Sequence, residues 1–443
     1  MRAGLGMALA CLMLHTTVFA RAQAAPDRFQ PVKERVLPER FPDKPSLPPV
    51  FSIPVEPLGF SAPGEYYLSS RISLASLDFI DEDRLLFTFR VPGLIRRRPQ
   101  TADNEESDER QIRAVVLTLP AGNVESEGLW SVHDHVRYLW MLNHGHFLLR
   151  DRNNLMEGDA TLELKPWLRF PGPVRWLDLD PMKQFLVTNS LEPQATASKP
   201  GDVSSPASAA ATVTVDGQQS PGKSNPAQPD LVVRIMRRDS AKVMLVSRVR
   251  SPVRLPVNAD GYLENLRTTG TGWVLNLNYF TGGSRILGRV DSACTPTSEF
   301  ISQQLVLATT CSPSGGHSLV ALTTDGRTLW SDLNPGSAVW PEVTRSPGGQ
   351  RIARETLAVT HPISSYAPLE KDDIKGQLVR IFDAATGEMA FESPASPVLD
   401  AGGNVAISPS GRRVAVLNAG AIQVFELPPP PPLPDGASSQ PGH

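Results

Sequence analysis

The chain has 443 residues, a formal net charge of −3 and a charged fraction of 20%, enough for one large repeat array or two to three average domains. That balance excludes a globally basic nucleic-acid binder and a chain too charged to collapse. Proline is the outlier: its 42 residues are roughly twice the usual share of about 5%, and they gather at both ends and in internal tracts, where they mark linkers.

The first residues, MRAGLGMALACLMLHTTVFARAQAAPD, read as a secretory signal over residues 1–24. Arg2 supplies the positive start, Leu5–Phe19 the apolar stretch and Ala22-Gln23-Ala24 the cleavage site, with cleavage after Ala22 as the alternative. Spanning a bilayer takes about 20 apolar residues; this run is shorter, and His15 interrupts it. A lipoprotein reading through Cys11 has too little apolar sequence ahead of it. No later segment is long and apolar enough to span, so the mature protein is expected to be exported, to periplasm or medium, as a soluble monomer. Once the signal is gone only Cys294 and Cys311 remain. In an oxidising compartment such a pair favours a disulfide over two free buried thiols.

Residues 25–64 form a Pro-rich arm, and strand-like runs fill 65–427. Several share one grammar: an apolar run, a tight polar turn, then a second and more apolar run. LDFIDEDRLLFTF (77–89), LWMLNHGHFLL (139–149), LDLDPMKQFLV (177–187), ENLRTTGTGWVLNLN (264–278), VTRSPGGQRIA (343–353) and VAISPSGRRVAV (405–416) have it, and EFISQQLVLAT (299–309) is a weaker member. Asp, Asn, Gly and Pro occupy the turns because hairpins need their φ values and local hydrogen bonds. One or two further strands follow each hairpin, as in LVRIFDAATGEMAFE (378–392). Four antiparallel strands repeated about seven times is the signature of a propeller.

The phrases IFDAATGEM and ISPSGRRVAV resemble the turns of WD40-like and other bacterial secreted β-propellers, whose blades carry SPDG and D…TG turns. The resemblance covers most of 65–427 and implies an all-β fold, a β-propeller of about seven blades; a two-sheet sandwich array is the alternative. The Gly-His and Trp-Asp pairs of WD40 repeats do not recur here, so the resemblance extends to architecture and not to a family.

Short turn-to-turn steps are about 32–46 residues, near the WD40-type period of about 40–45. Three longer steps hold polar insertions, 96–110, 191–230 and 361–377, each between the second and third strands of its blade. Because blade strands alternate in direction, all three emerge on one face, together with the blade-to-blade links. Loops are where function usually sits, so this face is the expected binding surface, for a protein or an extracellular ligand.

Motifs are mostly decoys. Gly217–Ser224 matches G-x-x-x-x-G-K-[ST] but lacks the preceding strand and following helix of a P-loop, so no nucleotide is expected. His133-Asp134-His135 and His144-Gly145-His146 are H-x-H pairs, separated by a strand of about seven residues or roughly 23 Å, so they cannot share an ion. Asp81-Glu82-Asp83 reads as a solvated turn, and Arg96-Arg97-Arg98 is neutralised by acids at 103–109. The tryptophans, Trp130 to Trp340, read as packing aromatics. No catalytic, cofactor or metal residue emerges. A non-enzymatic scaffold is the reading, with an exported propeller hydrolase, lactonase or lyase acting at the central channel as the alternative.

The last blade, NVAISPSGRRVAVLNAGAIQVFEL, stops after three strands at a proline run that opens the tail 428–443. The missing fourth strand is expected from EYYLSSR (65–71), with FSIPVEPL (51–58), demoted by its two prolines, second.

Overall fold

The computed structural model describes residues 32–38, 40–69, 75–91, 96–97, 108–133, 137–192, 230–313, 315–336, 338–363, 367–399 and 402–433. Seven antiparallel sheets stand around a common channel as a seven-bladed β-propeller. Blades 1 to 6 take residues 75–132, 139–169, 174–249, 253–291, 297–334 and 338–395, and blade 7 takes 405–426. The second strand of a blade is covered on both faces by neighbouring sheets. It therefore reads as a continuous apolar run rather than an alternating one, as in Arg84–Arg90 and Arg413–Asn418, whose interiors are buried throughout. Seven apolar clusters fill the seven seams between blades, including the seam of blade 7 with blade 1, where Phe87, Leu417 and Val424 meet.

The ring is closed by the second-choice segment. Phe51–Pro54 lies antiparallel to Ala421–Glu426, with Phe51 opposite Val424 and Pro54 opposite Ala421. The prolines are no obstacle, because an outermost strand has one unpaired edge and tolerates a missing N–H. Pro57 lies beyond the strand, in the 3-10 turn Glu56–Leu58. The favoured run is instead a single helical turn, Glu65–Ser69, whose Leu68 packs on Leu357, Val359 and Leu369.

Blade 4 departs from the sequence grammar. The hairpin at 264–278 joins the second and third strands, Gly261–Arg267 and Gly272–Tyr279, not the first and second. Its inner segment is 253–258, tied to the sheet by one bridge, Val257 to Tyr262, and by Leu263 N–H donating to Pro256 O at 2.8 Å. Pro256, with no N–H to give, keeps that segment from forming a full ladder.

The arm is a strap along the rim. Arg35–Val36 adds a parallel fifth strand to blade 5, with Arg35 on Asp332 at 2.7 Å. Arg380 of blade 6 donates to Pro38 O at 2.7 Å, and Ser46 N–H donates to Glu392 O at 2.8 Å. The strap ends as the latch strand on blade 7.

Candidate functional site

Five of the blades' first turns share one device. A short polar side chain opens the turn and accepts its N–H groups: Asp81 from Asp83 at 2.9 Å, Asp180 from Met182 at 2.9 Å, Asn258 from Asp260 at 3.0 Å, Ser346 from Arg351 and Ser408 from Arg413, each at 3.1 Å. These turns are also joined to one another. Asn143 donates to Met182 O at 2.9 Å, Asn258 to Gln303 O at 3.1 Å, and Ser410 N–H to Glu82 Oε1 at 2.6 Å. Arg351, 1% exposed, reaches Asp383 at 2.9 Å, Gly411 O at 3.0 Å and Pro428 O at 2.7 Å. At the blade 5–6 seam a Cβ on Gly349 would stand 2.4 Å from Ile301 O, so only glycine permits that approach. This face, the base, is a ring of stitched turns.

Charged side chains from different blades line the channel: Asp78, Arg137, Asp178, Glu299 and Glu342 come from blades 1, 2, 3, 5 and 6. Two arginines cross it. Arg137 of blade 2 donates to Glu342 of blade 6 at 3.0 Å, and Arg345 of blade 6 donates to Leu179 O of blade 3 at 2.7 Å and to Phe300 O. Around them lies a cavity of about 100 Å³ lined by Asp78, Asp178, Lys183, Glu299 and Arg345, with Trp140 and Val343 among its apolar walls. Its lining comes from the ends of inner strands and from first turns, so it sits at the base end of the channel.

Burial dominates the acid–base behaviour here. It raises Asp78 and Glu342, and it raises Glu299 to about 7, against the pull of Arg345 and with the push of Asp178. Burial, then Arg345, lowers Lys183 to about 7. Beside Glu342 in the ladder, Glu355 is raised to about 8 by burial and by its neighbour's charge. A Cβ on Gly402 (φ +80°) would stand 2.5 Å from Glu342 Oε2.

Cys294 and Cys311 form a disulfide, with Cα atoms 5.5 Å apart, where the link from blade 4 meets the end of blade 5's second strand. His133 lies in the link into blade 2, held by Asp151 at 3.0 Å, and His144 in that blade's first turn; the two are on opposite faces. Among the described residues no three His, Cys, Asp or Glu side chains converge as for a metal, and no helix is long and apolar enough to cross a membrane. Asp81 and Glu82 are structural: one caps its turn and the other stitches blade 7 to blade 1, while Asp83 stays exposed. Trp130 and Trp330 pack between blades, but Trp140 also walls the cavity. Residues 217–224, His135 and Arg98 lie outside the described residues. The cavity residues were missed by motif reasoning; their signal is a lone charge in an apolar inner strand just ahead of the turn, as in LDF, LDL and EFIS.

No protein-family model and no curated protein sequence matches the chain. Among solved structures it is similar to the β-propeller domain of the Trilobed protease from Pyrococcus furiosus, at 10% identity over 80% of this chain and 93% of that one, with a TM-score of 0.43. Acylaminoacyl peptidase of Pyrococcus horikoshii matches at 9% identity over 74% of this chain, with a TM-score of 0.39; the chain spans about half the peptidase, 53% of its length. Hsv2p of Kluyveromyces lactis matches at 12% identity over 66% of this chain and 74% of that one, with a TM-score of 0.36. Such likeness concerns the propeller fold alone.

Proposed function

We propose that the protein is an exported, non-catalytic scaffold that holds a protein or extracellular ligand on the face opposite the base. The observation behind this reading is the placement of the three long second-to-third-strand connections: they leave blades 1, 3 and 6 at 97, 192 and 359 and return at 108, 230 and 374, all on that one face. A large disc with a stitched base and loops on the other side suits display of a binding surface. The test replaces 193–229 and 98–107 with short Asn-Gly turns and follows partner crosslinking in the native envelope. Loss of the crosslinked partner with an unchanged unfolding midpoint supports the reading; capture that survives both replacements defeats it.

The second reading, an exported propeller hydrolase, lactonase or lyase, is favoured by one observation. Lys183 and Glu299, both brought to about 7, share the channel cavity, and an acid and a base near neutrality are what general catalysis uses. Turnover of lactone, ester or uronide probes that vanishes in Glu299→Gln would favour it over the scaffold.

A further inference from the structure

Asp178, Lys183 and Glu299 line one small cavity, yet Lys183 forms no ion pair with either acid. Elsewhere in the molecule opposite charges join, as in Arg137–Glu342 at 3.0 Å and Arg351–Asp383 at 2.9 Å. Asp178 takes a hydrogen bond from Leu179 N–H at 2.8 Å. The side chains of Lys183 and Glu299 make none with the described residues. The molecule therefore holds both signs of charge open to one space.

Lys183 is placed there by its backbone. It sits at φ +60°, a left-handed conformation that is strained for a side chain of this size. Its N–H donates to Asp180 O at 3.0 Å, and its own carbonyl accepts from Arg238 at 2.9 Å. Pinned on both sides, the turn sends the lysine into the channel, where a surface turn would leave it in water. A half-buried lysine that lines a cavity from a left-handed backbone, and whose side chain makes no hydrogen bond with the described residues, is the mark of a group kept for a ligand. Arg345 adds positive potential beside it, although its own N–H groups are engaged by Phe300 O and Leu179 O.

We propose that the base-end cavity is a seat for a small zwitterion, a free α-amino acid whose carboxylate meets Lys183 and whose ammonium meets Asp178 and Glu299. A ligand with one charge leaves the open groups of the other sign unmatched, and a large one does not fit a cavity of about 100 Å³ walled by Trp140 and Val343. The site is independent of the partner-binding face.

Titration calorimetry of the full chain with glycine, L-alanine, L-serine and L-threonine tests this, with acetate and methylamine as single-charge controls. At least one amino acid is expected to saturate the protein, and each control to bind at least about tenfold more weakly. Lys183→Met and Asp178→Asn, each checked for an unchanged unfolding midpoint, are expected to lower that affinity about tenfold or more. The same amino acid should slow acetylation of Lys183 by acetic anhydride, read by peptide mass spectrometry of the unsubstituted chain, a readout that needs no variant to fold. Absence of saturation by all four up to about 10 mM, controls that bind as well as the amino acids, or binding unchanged in both variants overturns the proposal.

Discussion

The two faces of the disc are built from connections of the same strands, and they differ in what those connections do. On the base the first turns are short, and their polar atoms cap the turns of blades 1, 3, 4, 6 and 7 or tie one blade to another, from Asn143–Met182 to Ser410–Glu82. On the other face the second-to-third connections of blades 1, 3 and 6 are long, running from 97 to 108, 192 to 230 and 359 to 374, and there the chain has grown. Loop entropy alone hardly opposes that growth, since each doubling of length costs only about 0.6 kcal/mol. What the base forbids is the loss of its stitches. The short turns are thus fixed by their cross-blade hydrogen bonds, and added length falls on the other face.

That contrast can be broken most directly by removing the strap and latch, residues 32–58. Leu37, Ile53, Val55 and Leu58 are all buried, each worth about 1.5–3 kcal/mol, and a domain's whole stability is about 5–15 kcal/mol. The truncated chain is expected to show no cooperative urea transition; a sharp one at the original midpoint would mean that the latch does not hold the ring. Next in size, Arg351→Ala leaves Asp383 without its partner and unties blade 7 and the tail. The expected loss is about 3–5 kcal/mol, seen as a lower urea midpoint at constant slope.

On the opposite face the corresponding tie is covalent. Reducing Cys294–Cys311, 17 residues apart in sequence, should cost about 3 kcal/mol. It should add to the Arg351→Ala effect, since the two sites share no contact; strong non-additivity would show that the faces are coupled.

The smallest effect is pH-dependent. Glu355 is raised from 4.5 to about 8, so the folded state keeps a proton that the unfolded chain releases. Its contribution is fully present below 4.5, falls as pH rises toward about 8 and is gone above that. Glu355→Gln should flatten this slope and stabilise the protein by about 1 kcal/mol or more at pH 9, with little change at pH 4, as thermal melts across pH would show.

Much of the base was legible because its turns rest on local chemistry. Asp81, Asp180, Ser346 and Ser408 announce themselves by residue type and spacing. Blade 4 was not, since Pro252 and Pro256 break the apolar run of its inner segment and shift the visible hairpin one strand outward. The latch departs from the sequence expectation for a related reason: the proline penalty holds for central strands and not for an edge strand such as Phe51–Pro54. The cavity was the least legible of all. Its charges stand far apart in sequence, from Asp78 to Arg345, one or two per blade, and only closure of the ring brings them together.

The pairing of Phe51 with Val424 has a consequence for the order of events on the ribosome. Residue 51 emerges long before its partner has been made, so the disc stays open throughout synthesis, with one seam unfilled. Contacts between such distant positions form slowly. A product stopped short of Val405 would carry a strand with nothing to join and two bare sheet edges, a form prone to aggregation. The strands of 405–426 therefore act as a check on synthesis, since the ring closes only once they have been made.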